Sequence, residues 1–203
     1  MKKAIIFCTV VICTMLVMTA CNNNQTQKEG EEQTAQKQEI VYNESIQSHF
    51  FGFSFGDSPQ VVSKKLDSIR LYTTDRIVED GGMAFKPKYP QNDFKFGGYS
   101  WNWLYPIFCN NKLYRIRFLH PFKTKDGAMS MYNNLSSSLS ARYFMQTQQV
   151  LDTSYFGCCI GWTKNNQYVQ VYCYRYESDG HEMWYGTELV YGDNNYYSEN
   201  SEL

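Results

Sequence analysis

The chain changes character along its length. Ala4 to Met18 is almost continuously apolar, and Asn22 to about Asn43 is almost devoid of apolar side chains. Only beyond that do apolar residues recur at the spacings of packed helices and strands. Phe50 to Phe55 (FFGFSF) reads as a strand with a glycine at its centre. Gly56-Asp57-Ser58-Pro59 then supplies a turn, a capping side chain and a proline suited to a first helical turn. The spacing predicts a helix to about Arg70, with Val62, Leu66 and Ile69 on one face. Asp75 to Lys95 is punctuated by Gly81-Gly82 and Pro87 to Pro90, which predicts short strands or loops. Phe96 to Cys109 reads as an aromatic strand region, Asn110-Asn111 as a tight turn, and Leu113 to His120 as the returning strand. Thr124 or Asp126 caps a second helix, whose stripe is Ala128, Tyr132, Leu135, Leu139 and Tyr143. Three strands close the pattern: Val150 to Trp162, Tyr168 to Tyr176 and Met183 to Tyr191.

Turn positions predict registers. A turn at Asn110-Asn111 sets Trp103 opposite Phe118, Tyr105 opposite Ile116 and Ile107 opposite Tyr114, all on one face, with Arg115 and Arg117 towards solvent. A turn centred on Asn165-Asn166 sets Trp162 opposite Val169, Ile160 opposite Val171 and Cys158 opposite Cys173. Opposed strand residues have Cα atoms about 4.5–5.5 Å apart, within disulfide reach. Cys158 and Cys173 are therefore candidates for a disulfide, the alternative being two free thiols in an apolar core. Tyr168, Tyr172, Tyr174 and Tyr176 fall on the face away from Val169, Val171 and Cys173. They form an outward row that suits a protein interface or the stacking of sugar rings, unless another layer covers it.

The order strand, helix, strands, then strand, helix, three strands predicts an α+β fold. It would consist of two tandem βαβββ-like units, each packing one helix on an antiparallel sheet. The expected domains are a signal peptide over 1–20, a modified cysteine with a disordered linker over 21–43, and the folded part over 44–203. Within the folded part, 44–111 and 112–194 are the two units, and 195–203 is a flexible tail.

The N-terminal segment carries the clearest signal. Lys2 and Lys3 precede a short apolar run that ends in small residues, the pattern of an exported protein. Met18-Thr19-Ala20-Cys21 resembles a bacterial lipobox, with Met18 where the family usually has leucine. That resemblance implies lipid, palmitate included, on Cys21 and a permanent membrane tether, since two or more acyl chains hold stably. The spacer that follows is too polar to offset the entropy of ordering. As a flexible coil, its roughly 22 residues would reach about 25 Å. The Asn-rich start, the acidic Glu29-Gly30-Glu31-Glu32 patch, FGFSFGDSPQVVSKKL and NKLYRIRF together resemble uncharacterised exported lipoproteins of gut Bacteroidetes. This implies an outer-membrane lipoprotein facing the periplasm or the cell surface. Asp67-Ser68-Ile69 is similar to the short O-glycosylation pattern of that group.

Composition narrows the function. Loss of Lys2 and Lys3 with the signal takes the net charge from −1 to −3, and no basic stripe supports nucleic-acid binding. Aromatic residues make up 17% of the chain, which favours sheet. Cys8 and Cys13 lie in the signal, which leaves Cys109, Cys158, Cys159 and Cys173 in the body. His181-Glu182-Met183-Trp184-Tyr185 begins like a zincin motif, but Tyr185 stands where the second histidine belongs, so no metal site is expected. Cys158-Cys159 lacks the spacing of a redox pair, and neither a nucleophile elbow nor a phosphate loop is present. Asp57, Asp80, Asp93, Asp126 and Asp152 sit at turns and helix starts, where capping explains them. No catalytic residue and no cofactor is expected. The expectation is a non-enzymatic envelope component that binds a protein partner, with a module for glycans or host molecules as the alternative.

Overall fold

The computed structural model describes residues 41–74, 82–87, 93–150, 152–178 and 180–197. The signal segment, Cys21, the spacer to residue 40, Asp80 and the end of the expected tail lie outside the described residues. Among the described residues twelve strands are present: β1 (His49–Phe50), β2 (Phe53–Ser54), β3 (Leu71–Thr73), β4 (Phe85–Pro87), β5 (Phe94–Phe96), β6 (Tyr99–Trp101), β7 (Trp103–Cys109), β8 (Lys112–Phe122), β9 (Gln146–Thr147), β10 (Tyr155–Trp162), β11 (Gln167–Glu177) and β12 (Met183–Asp193). Helix α1 spans Pro59–Ser68 and helix α2 spans Lys125–Arg142.

Eight strands form one antiparallel sheet in the order β3-β4-β7-β8-β12-β11-β10-β9. β1 pairs with β2, and β5 with β6, as separate hairpins. This corrects the expected α+β fold of two tandem units: the protein is mostly sheet, closer to all-β, with two helices among the described residues. The reason is a long-range pairing. β12 lies against β8 from Tyr185↔Phe122 to Gly192↔Arg115, so the two expected units share one sheet. Sequence periodicity reports which side chains alternate, but not which strands meet.

The helices form where the pattern placed them. Ser58 caps α1, accepting from the Val61 amide at 3.5 Å, and Pro59 opens the first turn. Val62 and Leu66 are buried, whereas Ile69 ends the helix and is exposed. Thr124 caps α2, accepting from the Gly127 amide at 3.3 Å. The whole stripe Ala128, Tyr132, Leu135, Leu139 and Tyr143 is buried. The Tyr132 ring lies over Gly157, where a Cβ would come within 2.6 Å of it. Thr187 Oγ1 donates to the Ala128 carbonyl at 2.7 Å and fixes the start of the helix to β12.

Both predicted hairpin registers shift by one residue. The Asn110-Asn111 turn forms as expected, with positive φ at both residues. However, a bulge at Tyr114 changes the pairing beyond it, so that Ile107 faces Arg115, Tyr105 faces Arg117 and Trp103 faces Leu119. Between β10 and β11 the loop has three residues, 164–166, with Asn166 at φ 62° and Thr163 hydrogen-bonded to Gln167. Trp162 therefore faces Tyr168, Ile160 faces Gln170, Cys158 faces Tyr172, and Gly157 faces Cys173. A slip of one residue moves a whole strand to the other face.

The front face of the sheet carries the main core. Phe118, Ile116, Val169, Val171, Leu189 and Cys173 pack there under α2, α1 and the two small hairpins. Aromatic rings fill it: Phe96 stacks on Phe118 at 4.2 Å between centroids, and Phe50 lies 5.3 Å from Tyr191. The N-terminal segment is pinned at Asn43. Its backbone and side-chain nitrogens donate to the Trp162 carbonyl at 2.8 and 3.0 Å, and its Oδ1 accepts from the Phe144 amide at 2.8 Å.

On the other face, Tyr168 lies over Gly192, where a Cβ would come within 2.3 Å of Cζ. Gly192→Ala therefore forces a rigid ring off its seat. The expected cost is about 1–3 kcal/mol, as for other overpacked sites. A urea-unfolding midpoint measures it, and adding Tyr168→Leu to the same chain should recover part of the loss.

Candidate functional site

The back face of the sheet, opposite α2, concentrates aromatic and charged side chains. Alternation along each strand puts them there. β7 contributes Trp103 and Tyr105, β8 contributes Arg115 and Arg117, β12 contributes Glu188, and β11 contributes Tyr168, Tyr172, Tyr174 and Tyr176. From β4 to β10 this crosses six neighbouring strands, about 24 Å at the usual strand spacing.

At its centre lies an ion pair. Arg117 grips Glu188 through Nε on one carboxylate oxygen and Nη2 on the other, the latter at 3.2 Å. Glu188 is buried, at 4% exposure, and Tyr174 adds a hydrogen bond to it. The Glu188 charge holds the Arg117 guanidinium still more firmly protonated than usual, against the opposing effect of burial. Burial, followed by the Glu188 charge, pushes the Tyr174 hydroxyl well up. Burial likewise raises Tyr168, and the nearby Arg115 only partly offsets this. Arg115 Nε donates to Tyr168 Oη at 2.9 Å, and its guanidinium lies over the Tyr114 ring at 5.2 Å.

Rings and cations interleave outward from this pair. Trp103 stacks on Tyr105 at 6.1 Å, Lys86 lies over Trp103, and Arg117 lies over Tyr105. Tyr155 contacts Tyr172 and Tyr174, and Trp162 contacts Tyr168. Gly186 and Gly192 leave hollows that Tyr174 and Tyr168 fill. The tyrosine row expected from the sequence does share this face, but it does not stand free. Tyr168 is buried, and Tyr172, Tyr174 and Tyr176 are half-buried. Trp103, Tyr105 and the two arginines belong to the same face, which the predicted register missed by one residue. The signal that locates them is the bulge at Tyr114, not residue type.

The cysteines depart from expectation. Cys158 points to the back with Ile160, whereas Cys159 and Cys173 point into the front core. The expected disulfide between Cys158 and Cys173 is therefore corrected: the two lie on opposite faces and are not bonded to each other. Burial raises the Cys159 thiol, although its hydrogen bonds with Ser136 and Tyr132 counter this, and raises Cys173 to about 11. Neither ionises readily near neutrality.

Other polar groups are scattered. His120 Nδ1 meets the Ser100 carbonyl at 3.0 Å, His49 meets Ser48, and His181 meets Glu177 on the surface. Asp57 and Asp152 accept from the Ser54 and Ser154 amides, each at 2.8 Å, and Asp93 accepts from Asn102. Asp126 lies in the first turn of α2. Ser68 ends α1 and donates to the Lys65 carbonyl. Among the described residues, no group of three or more His, Cys, Asp or Glu side chains could hold a metal, and no helix is long and apolar enough to cross a membrane. An open cleft of about 860 Å³ lies between residues 42–49 and 142–144.

No family model, curated protein or solved structure matches the chain.

Two outcomes follow from this geometry. Glu188→Ala strands the Arg117 charge and should cost about 3–5 kcal/mol, the range for a broken buried pair, read from denaturant unfolding. With a thiol-specific chromogen at pH 8, Cys159 and Cys173 should stay silent in the folded protein and react once denaturant is added.

Proposed function

We propose that this chain is a lipid-anchored, non-enzymatic binding protein of the bacterial envelope, and that the back face of its sheet binds a glycan. Lipid on Cys21 would hold it at the outer membrane, and the polar spacer would carry the folded unit clear of the lipid. One observation carries the choice of face: rings and arginines occupy a sheet surface that neither helix covers. A solvated sheet face ordinarily alternates to polar residues. Here half-buried Trp103, Trp162, Tyr172 and Tyr174 stand in their place.

A protein partner is the rival occupant, because Trp, Tyr and Arg also dominate protein hot spots. The rings favour the glycan. Protein anchors insert into pockets, whereas here Tyr168 and Tyr174 fill the sheet's own hollows at Gly192 and Gly186, and Trp103 and Tyr105 lie nearly parallel, 10° apart. Planar aromatic surfaces stack on the apolar faces of sugar rings. Locked chemistry at the centre agrees with binding and not turnover. Glu188 is held by Arg117, and the neighbouring tyrosines are pushed further towards their protonated form.

Metabolic labelling with radioactive palmitate should mark the wild-type chain and leave Cys21→Ser unlabelled. In affinity electrophoresis through a panel of neutral and acidic polysaccharides, at least one should retard the protein. Tyr172→Ala with Tyr176→Ala should weaken that binding by about tenfold while the protein stays folded. If no polysaccharide is bound, and back-face cross-linking instead yields a single envelope protein, the rival occupant is correct.

A further inference from the structure

The back face has a charge imbalance. Among its described residues, Lys86, Arg115 and Arg117 oppose the single carboxylate of Glu188. The chain without its signal segment is net negative, so the cations on this face are segregated and are not a sample of the whole surface. Arg117 is committed to Glu188. Arg115 is not so committed, and no carboxylate among the described residues pairs with it.

Arg115 is also held in place. Its Nε is fixed by Tyr168 Oη at 2.9 Å, and its plane is supported by the Tyr114 ring. Tyr168 is itself seated over Gly192 and packed by Trp162 at 5.6 Å. Arg117, two residues along the same strand face, adds a like charge that raises the local potential for an anion. A half-buried guanidinium that no carboxylate among the described residues pairs with costs stability, and an incoming carboxylate offsets that cost. The planar fork of arginine matches a carboxylate in two parallel hydrogen bonds.

Building on the glycan assignment above, we infer that the ligand is an acidic polysaccharide, with Arg115 pairing with a uronate carboxylate while sugar rings stack on Trp162 and Tyr172. A uronate joins a flat ring and a carboxylate in one unit. The face offers the same two features side by side, since Trp162 and Arg115 both contact Tyr168.

The test is affinity electrophoresis of the full mature protein, held in detergent, through gels containing polygalacturonate or the same polymer fully methyl-esterified. The ester keeps the rings and masks the charge. Polygalacturonate should bind at least about tenfold more tightly than the ester, and the difference should shrink as salt is raised. Arg115→Met should bring polygalacturonate down to the level of the ester. The comparison of polymers in the wild-type protein stands even where the variant folds poorly. Equal binding of the two polymers overturns the acidic ligand and leaves the glycan assignment intact. Failure of polygalacturonate, alginate and hyaluronate alike also overturns it, and the glycan assignment falls only if neutral polysaccharides fail as well. Polyglutamate bound as tightly as polygalacturonate overturns the sugar as the source of the carboxylate.

Discussion

Everything in this molecule depends on the register between β8 and β12. These strands are far apart in sequence, and their pairing joins an N-terminal hairpin to a C-terminal meander. Each face of the pair has its own chemistry. Ile116, Phe118, Leu189 and Tyr191 point into the front core, and Arg115, Arg117 and Glu188 point to the back. A slip of one residue would drive two guanidinium groups under α2 and turn Phe118 out of its stack with Phe96. The cost of an uncompensated charge in that apolar layer is far larger than a domain's net stability can absorb. The charged pair therefore adds specificity to the register beyond what apolar packing supplies, since apolar residues lie on both faces.

Much of the local structure was legible because it rests on local rules. Ser58 and Pro59 announce α1, Thr124 and the Ala128–Tyr143 stripe announce α2, and Asn110-Asn111 takes the left-handed angles that its turn requires. The hairpin registers were legible only to within one residue, and one residue decides which face a side chain occupies. Tyr114 is absorbed in a bulge, and Thr163 closes a loop of three residues where two were assumed. The tyrosine row survived that error because its four members share a face in any register. The facing of Cys158 and Cys173 did not survive it. The single sheet was not legible at all, since no periodicity in β8 or β12 names its partner.

The same slip explains why the site was only half visible. Arg115 and Arg117 were expected on a solvent face, and that holds in the sense that they lie away from the main core. Trp103 and Tyr105 were expected opposite them and instead stand on their side. A surface that alternation described as polar is in fact an aromatic layer with a cationic excess. Glycines at 186 and 192 let that layer lie close to the sheet, which makes two small residues a determinant of the shape of that face.

Asn43 gives the fold a mechanical character. The N-terminal segment is held through three hydrogen bonds at this residue, two of them to the Trp162 carbonyl at the end of β10 and one from the Phe144 amide between α2 and β9. Any pull on that segment is delivered to β10 first, and Trp162 belongs to the back face. Tension in the leading segment thus arrives at a strand end that carries one of the back-face rings. The grip at Asn43 acts as a fuse, and its strength sets how much force reaches the sheet before the leading segment peels away.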